Sequence, residues 1–456
     1  MGKWLNPALD YIPQWIGYQM RQSGQPGCVV AIAEKGKLVL EWAIGHADLG
    51  SGATLTPRHR FRVASHSKSF TAAGILKLRE QGKVTLDDRI GRYVEGLHAG
   101  VARATIAELL SHSAGITRDG VDSGQWQDRR FFPNATELRA ALAEAPVIAR
   151  NSCFKYSNHG FGLLSLVIEA IAREPYCTWI KREIIEAAGL GETAPDMWVG
   201  ETGPMARGHS GKLPLGRRLV IPGDNPTNAV AAATGFVSTA GDLARFFAQL
   251  DPTARNSVLS VDSRREMIRQ RWREPHLSVE RYYGLGIRTG MTAEWDWFGH
   301  NGGFQGFITR TAVFPGHGLS VSILTNAVDG LAEQWLDGVT EILATFAKNG
   351  APSPRVHDWT GRWWTLWGAV DFVPMGNKVI VAKPDLLAPF TGASELLLIG
   401  EDCARIALAN GNGSLGENVR RVRSPEGKVA EVWFGGGQLL PEAKLVDEIT
   451  DRYGRG

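Results

Sequence analysis

Ser65 and Lys68 stand three residues apart in Ser65-His66-Ser67-Lys68, at what reads as the start of a helix. One helical turn puts the serine hydroxyl and the lysine amine on the same face. A helix N-terminus adds unpaired backbone N–H groups and the positive end of the macrodipole beside the serine. Taken out of water, an amine holds its proton less tightly, and a neutral lysine can help deprotonate a serine. The pair is therefore a candidate nucleophile with its base. Taken alone the signal is thin. A second S-x-x-K, Ser152-Cys153-Phe154-Lys155, lies in the same chain, and about one chance match is expected at this length. A single match taken alone reads first as an N-cap serine followed by a solvated lysine.

Two further residues have useful chemistry. Tyr156 carries a phenol with an ordinary pKa near 10, and it needs a nearby cation to ionise. By itself it is a half-buried aromatic. His300 precedes Asn301-Gly302-Gly303, which on its own reads as a turn. No HExxH, GxxxxGK[ST] or GxSxG occurs, so a zincin, a P-loop NTPase and the usual α/β-hydrolase elbow are disfavoured. The eleven histidines are dispersed, with no metal-ligand spacing. No metal and no cofactor is expected.

These residues must be positioned by a fold. The chain has 456 residues, which at roughly 150 per domain suggests two or three domains. Hydrophobic residues at 43% and charged residues at 21% exclude a long disordered chain. Fifty Lys plus Arg against 47 Asp plus Glu leave a net charge of only +3, with no basic stripe for nucleic acid. No run of about 18 apolar residues spans a membrane. Cys28, Cys153, Cys177 and Cys403 form no short-spaced framework and read as free thiols of a reducing compartment. The opening residues show no apolar leader, and a cytoplasmic location is expected.

The coarse pattern is mixed α/β, or α+β. Residues 28–33 and 38–43 around Lys35-Gly36-Lys37 read as a hairpin buried on both faces. A helix is expected over 65–81. A mainly helical stretch runs from about 85 to 220, with candidates at 107–111, 137–145 and 160–172. Thr239-Ala240-Gly241-Asp242 resembles a capping box opening a helix to Leu250. Strands are expected at 284–290, 307–314 and 319–325, then a helix over 329–348. Asn349-Gly350-Ala351-Pro352-Ser353-Pro354 reads as a linker. Beyond it, short strands at 362–366, 370–373, 378–382, 395–399, 404–407, 419–423 and 429–434 suggest a small β-barrel or sandwich.

Context gives the serine more weight. Phe61-Arg62-Val63-Ala64-Ser65-His66-Ser67-Lys68-Ser69-Phe70-Thr71-Ala72 resembles the nucleophile segment of the serine β-lactamase and penicillin-binding-protein superfamily. Tyr156-Ser157-Asn158 resembles the Y-x-N second motif of its class C branch. His300-Asn301-Gly302 resembles the third motif, with His in place of the Lys of K-T-G. The segments 109–115 and 238–243 also look like family stretches. The order and separation fit, and the resemblance spans about residues 10–348.

The resemblance implies a domain over 1–350 with an antiparallel sheet flanked by helices and a mainly helical subdomain at about 85–220. It implies Ser65 as the nucleophile of an acyl-enzyme, Lys68 as the proton-balancing partner, and Tyr156 as a base in the field of Lys68 and, partly, His300. Asn158, His300, Gly302 and Gly303 would bind substrate. Backbone N–H groups of Ser65 and Gly303 would form the oxyanion hole. His112 is read as structural, satisfying a loop carbonyl. The His at position 300 resembles the esterase, D-aminopeptidase and amide-hydrolase branches.

Trp359-Thr360-Gly361-Arg362-Trp363 resembles the opening of the lipocalin-like barrels appended to D-aminopeptidase-like relatives, and implies a second domain at 351–456. Its five tryptophans, Trp359, Trp363, Trp364, Trp367 and Trp433, either plug a barrel core or place a loop at a catalytic cleft. The expected function is hydrolysis of a small ester or a D-amino-acid-type amide or short peptide. A β-lactamase or DD-peptidase whose leader has been removed is one alternative. A non-catalytic scaffold or ligand-binding relative is another. A small-molecule substrate is the expected partner, with neither nucleic acid nor membrane, and a homodimer is one expected assembly.

Overall fold

The computed structural model describes residues 2–197, 203–213, 215–411 and 413–454. The chain forms two compact units, Gln25–Leu336 and Met1–Gly24 with Asp337–Gly456. The expected bounds, 1–350 and 351–456, differ from these at both ends of the first unit.

In the Gln25–Leu336 unit, a nine-stranded sheet runs through Ala53–Thr54, Lys37–Asp48, Gly27–Glu34, Leu319–Thr325, Phe307–Phe314, Trp295–Phe304, Arg288–Thr292, Arg281–Tyr283 and Trp272–Arg273, in that spatial order. Early and late chain segments meet at its centre, where Cys28 lies opposite Thr325 in an antiparallel pair. Gly27–Glu34 is buried along almost its whole length, which is why its sequence is continuously apolar rather than alternating. Lys37–Asp48, nearer the edge, is mostly half-buried. The Ala240–Gln249 helix packs on this sheet. Thr239 caps it by accepting from the Asp242 N–H at 3.2 Å. The reciprocal half of the expected capping box is absent: the Asp242 carboxylate instead accepts from the Glu192 N–H at 2.8 Å and the Thr193 hydroxyl at 3.0 Å.

The Ser67–Glu80 helix is buried on nearly every side, from Ser67 through Leu76, as an interior helix must be. It packs among Asn158–Ala172, Tyr176–Ile180 and Ala231–Thr234. Phe70 stacks between Phe246 and Phe236, with ring centroids 3.8 and 4.6 Å away. The strand expected at 284–290 is instead two strands, Arg281–Tyr283 and Arg288–Thr292. The Gly284–Ile287 turn separates them, and Gly286 there has φ +65°.

In the other unit, eight antiparallel strands from Gly361–Thr365 to Gly437–Leu439 form a nearly closed barrel. Trp364 and Leu440 exchange backbone hydrogen bonds of 2.8 and 2.9 Å, which brings the last strand back to the first. Trp359 and Trp363 are buried in its core with Phe372, Leu396 and Ile406. Trp364 and Trp433 are half-buried. Trp367 is 96% exposed at the first hairpin turn, so the tryptophans do not act as one plug. The Leu5–Ser23 helix belongs to this unit. Tyr11 donates to Asp371 at 3.0 Å, the Trp15 indole to the Leu386 carbonyl at 3.2 Å and Gln19 to the Pro384 carbonyl at 2.6 Å. Among the described residues no helix is long and apolar enough to cross a membrane.

Candidate active site

The short strand Phe61–Arg62 pairs with Val237–Ser238 and then turns sharply. Ala64 has φ +47°, a left-handed conformation uncommon outside glycine and a mark of local strain. The turn carries the chain through Ala64–His66 into the Ser67–Glu80 helix and leaves Ser65 half-buried at its mouth. Ser67 fixes the turn, donating to the Ala64 carbonyl at 2.5 Å and accepting from the Phe236 N–H at 3.0 Å. Burial pushes the His66 pKa down to about 4. The neutral ring has its Nδ1 2.9 Å from the Val63 carbonyl and 3.4 Å from the Thr309 hydroxyl, and its Nε2 3.1 Å from the Thr311 hydroxyl.

Lys68 is fully buried, and desolvation holds its ammonium well below the usual lysine range. Its Nζ lies 2.8 Å from Asn158 Oδ1, 2.8 Å from the Ala233 carbonyl and 3.1 Å from Ser65 Oγ. A neutral amine has two donors and one lone pair. Donating to Asn158 and Ala233 turns that lone pair to the Ser65 hydroxyl. On the other side the Tyr156 hydroxyl donates to Ser65 Oγ at 2.7 Å. Burial pushes the Tyr156 pKa up to about 12, only partly opposed by the Arg288 guanidinium. Both shifts favour the uncharged arrangement, Tyr156 O–H to Ser65 O–H to Lys68 N. Ser65, Lys68 and Tyr156 thus share one hydrogen-bonded chain.

Asn158 opens the Asn158–Ala172 helix, which Ser157 caps by accepting from the Gly160 N–H at 2.8 Å. The Asn158 amide is 2% exposed. Its oxygen faces Lys68, and its nitrogen donates to Asp119 Oδ1 at 2.7 Å. It touches the lysine rather than open space. His112 does not meet a loop carbonyl as expected: its Nδ1 accepts from the Ser157 N–H at 3.1 Å. Its ring packs 4.2 Å from Tyr156 and 4.8 Å from Tyr283, forming an aromatic floor. The other S-x-x-K serine, Ser152, is exposed and donates to the Ala149 carbonyl at 2.5 Å.

The third segment lies on Trp295–Phe304. Pairing with Arg288–Thr292 ends at Gly299 opposite Arg288, so beyond that point this strand has no sheet neighbour on one side. It packs there against the Ala64–His66 turn. Gly302 is required: an added Cβ would lie 2.2 Å from the Val63 carbonyl oxygen and 2.6 Å from Thr309 Oγ1. Gly302→Ala is expected to cost about 1–3 kcal/mol through forced backbone displacement, read as a lower denaturation midpoint. An unchanged midpoint would mean that this contact relaxes freely. Gly303 is exposed, and a Cβ there would meet only Ile308 at 3.6 Å.

His300 does not supply the field expected of it. It is buried, lies 3.0 Å from the Tyr283 hydroxyl and 2.7 Å from the Asn301 carbonyl, and desolvation holds its pKa well below the usual histidine range. The cations acting on Tyr156 are Arg288, paired with Glu274 at 2.8 Å and donating to the Asn301 side chain, and then Arg118, 5.9 Å from the Tyr156 ring centroid. Arg288, Asp119 and Tyr283 carry no motif signal. Only Asp119 sits close in sequence to a family-like stretch, at 109–115. Among the described residues no group of three or more His, Cys, Asp or Glu side chains could hold a metal ion.

Fold and site together define a class. Residues 12–343 match the Beta-lactamase family model, and the chain belongs to that family. Penicillin-binding protein 4* of Bacillus subtilis (strain 168) is 32% identical over 171 residues, 37% of each chain. The chain spans about two fifths of the length of the curated relatives it matches. The octameric penicillin-binding protein homologue from Pyrococcus abyssi superposes with a TM-score of 0.66 at 21% identity, covering 95% of this chain and 99% of that one. The D-amino acid amidase from Ochrobactrum anthropi SV3, solved with D-phenylalanine, gives a TM-score of 0.63 at 22% identity over 75% and 98% of the two chains. At these identities the two structural likenesses are likenesses of fold.

Proposed function

We propose that the protein is a serine hydrolase that moves the acyl group of a small ester or D-amino-acid-type amide to water through an ester on Ser65. The observation that carries this reading is the Ser65 hydroxyl held 2.7 Å from the Tyr156 hydroxyl and 3.1 Å from the Lys68 amine. Ser65 Oγ attacks the carbonyl carbon while its proton passes to the neutral Lys68 Nζ. The carbonyl oxygen becomes an oxyanion, received by the backbone N–H groups of Ser65 and Gly303. As the bond to the leaving group breaks, Tyr156 gives that group a proton and regains one from Lys68. Water then enters by the same steps in reverse and frees Ser65.

The substrate class rests on His300. A neutral imidazole, turned to Tyr283, offers no fixed cation for a penicillin or D-Ala carboxylate. The likeness to a D-amino acid amidase supports the amide side of the reading. The experiment is a panel of activated esters, D- and L-amino-acid amides and penicillins, read as kcat/KM. Turnover of esters or D-amides above that of penicillins is expected. Turnover of none of them would defeat the reading, and a preference for penicillins would favour the β-lactamase alternative.

The pH dependence has a definite sign. Lys68 must be neutral to accept the Ser65 proton, and burial lowers its pKa. The rate should rise with pH and level off well below the ordinary lysine pKa of about 10.4. With Tyr156 at about 12, no fall from phenol ionisation is expected below about pH 11. A rate still climbing through pH 10 would show that Lys68 keeps an ordinary proton affinity.

A further inference from the structure

Lys68 is held by Asn158, and the structure shows what holds Asn158. Its Nδ2 lies 2.7 Å from Asp119 Oδ1, and its backbone N–H donates to the Arg118 carbonyl at 3.0 Å. An ionised carboxylate only accepts, so the amide atom facing it must be the nitrogen. The oxygen is thereby forced toward Lys68. Turned over, the amide would present two N–H donors to an amine that needs an acceptor there.

We propose that Asp119 is a positioning residue, which through the Asn158 amide keeps the Lys68 amine aimed at Ser65 and biases the charge that amine carries. This rests on the serine-hydrolase reading. The charged groups facing Lys68 are Asp119, Arg118 and Arg288. The neighbouring titratable groups Tyr156, His112 and His300 are neutral. Asp119 is the anion of the set. Arg118, paired with its outer oxygen at 3.0 Å, is 63% exposed and screened by solvent, whereas Asp119 is 9% exposed.

Two substitutions separate orientation from charge. Asp119→Asn can keep an oxygen toward Asn158 while removing the anion. Without a nearby negative charge the ammonium is less favoured, so free amine persists to lower pH. The acid limb should move down by about 0.5–1 pH unit, the size of one partly shielded charge a few ångströms away. Asp119→Ala should show the same shift and also a plateau lower by about tenfold or more, because Asn158 loses the partner that orients it.

The measurement is the second-order rate of labelling by a fluorophosphonate across pH, followed by intact mass, with thermal melting of each variant alongside. A purely structural Asp119 would change melting temperature and amplitude but leave the midpoint of the pH profile in place. A downward shift of about half a unit or more in Asp119→Asn supports the proposal. A smaller shift, or an upward one, overturns it. Failure of the wild-type protein to label would instead defeat the serine-hydrolase reading.

Discussion

Ser65→Ala is expected to lose ester and amide hydrolysis by roughly 10⁴-fold or more, the scale seen when a nucleophile in a coupled set is removed. The loss has one cause: without Oγ there is no acceptor for the acyl group, and neither Tyr156 nor Lys68 can form an equivalent ester. Stability should hardly change. Ser65 is half-buried at the mouth of a turn that Ser67 and His66 hold by their own bonds. A melting temperature within a few degrees of wild type is expected. Hydrolysis at the wild-type rate in this variant would remove Ser65 from the chemistry.

Tyr156→Phe is expected to reduce kcat by about 10²- to 10⁴-fold, the range for losing a general acid–base group. The ring can keep its contacts with His112, 4.2 Å away, so the fold has little reason to change. What disappears is the hydroxyl donating to Ser65 and the path by which a proton returns to the leaving group. Substrates with poor leaving groups, such as amides, should suffer more than activated esters, whose leaving groups depart without a proton. Equal and small losses on both would assign Tyr156 to packing alone.

Much of the frame was legible in the residues. The strands Phe307–Phe314 and Leu319–Thr325 have the bounds expected of them, because β-branched and aromatic residues there mark strand even where Thr and Ser interleave. Thr239 marked its helix through a local cap. The Leu5–Ser23 helix escaped because Pro7 and Pro13 masked a helical spacing of Leu5, Ala8, Leu9, Ile12 and Ile16 that was present all along. Its membership in the barrel unit depends on partners more than 350 residues away, such as Asp371, which no local pattern encodes. The Glu442–Tyr453 helix was likewise unassigned, although Leu445, Val446, Ile449 and Tyr453 share one helical face; its residues are mostly exposed.

At the candidate site the same division holds. Ser65, Lys68, Tyr156 and Asn158 stood in recognisable segments, and the fold brings them into hydrogen-bonding distance. His300 was expected to add to the positive field at Tyr156. Charge at a buried imidazole is decided by desolvation and by the nearby Arg288, and neither can be read from its neighbours in sequence. Asp119 and Arg288 are single charged residues among 97 counted as Lys, Arg, Asp or Glu. Only the folded chain sets them apart.

The most direct test is to let a fluorophosphonate react with the native protein and locate the adduct by fragment mass. If one hydroxyl is activated by the amine and the phenol at its side, a single adduct forms on the peptide holding Ser65, and none forms in Ser65→Ala. An adduct on Ser152 or any other side chain, or continued ester hydrolysis with Ser65 unmodified, would contradict the account.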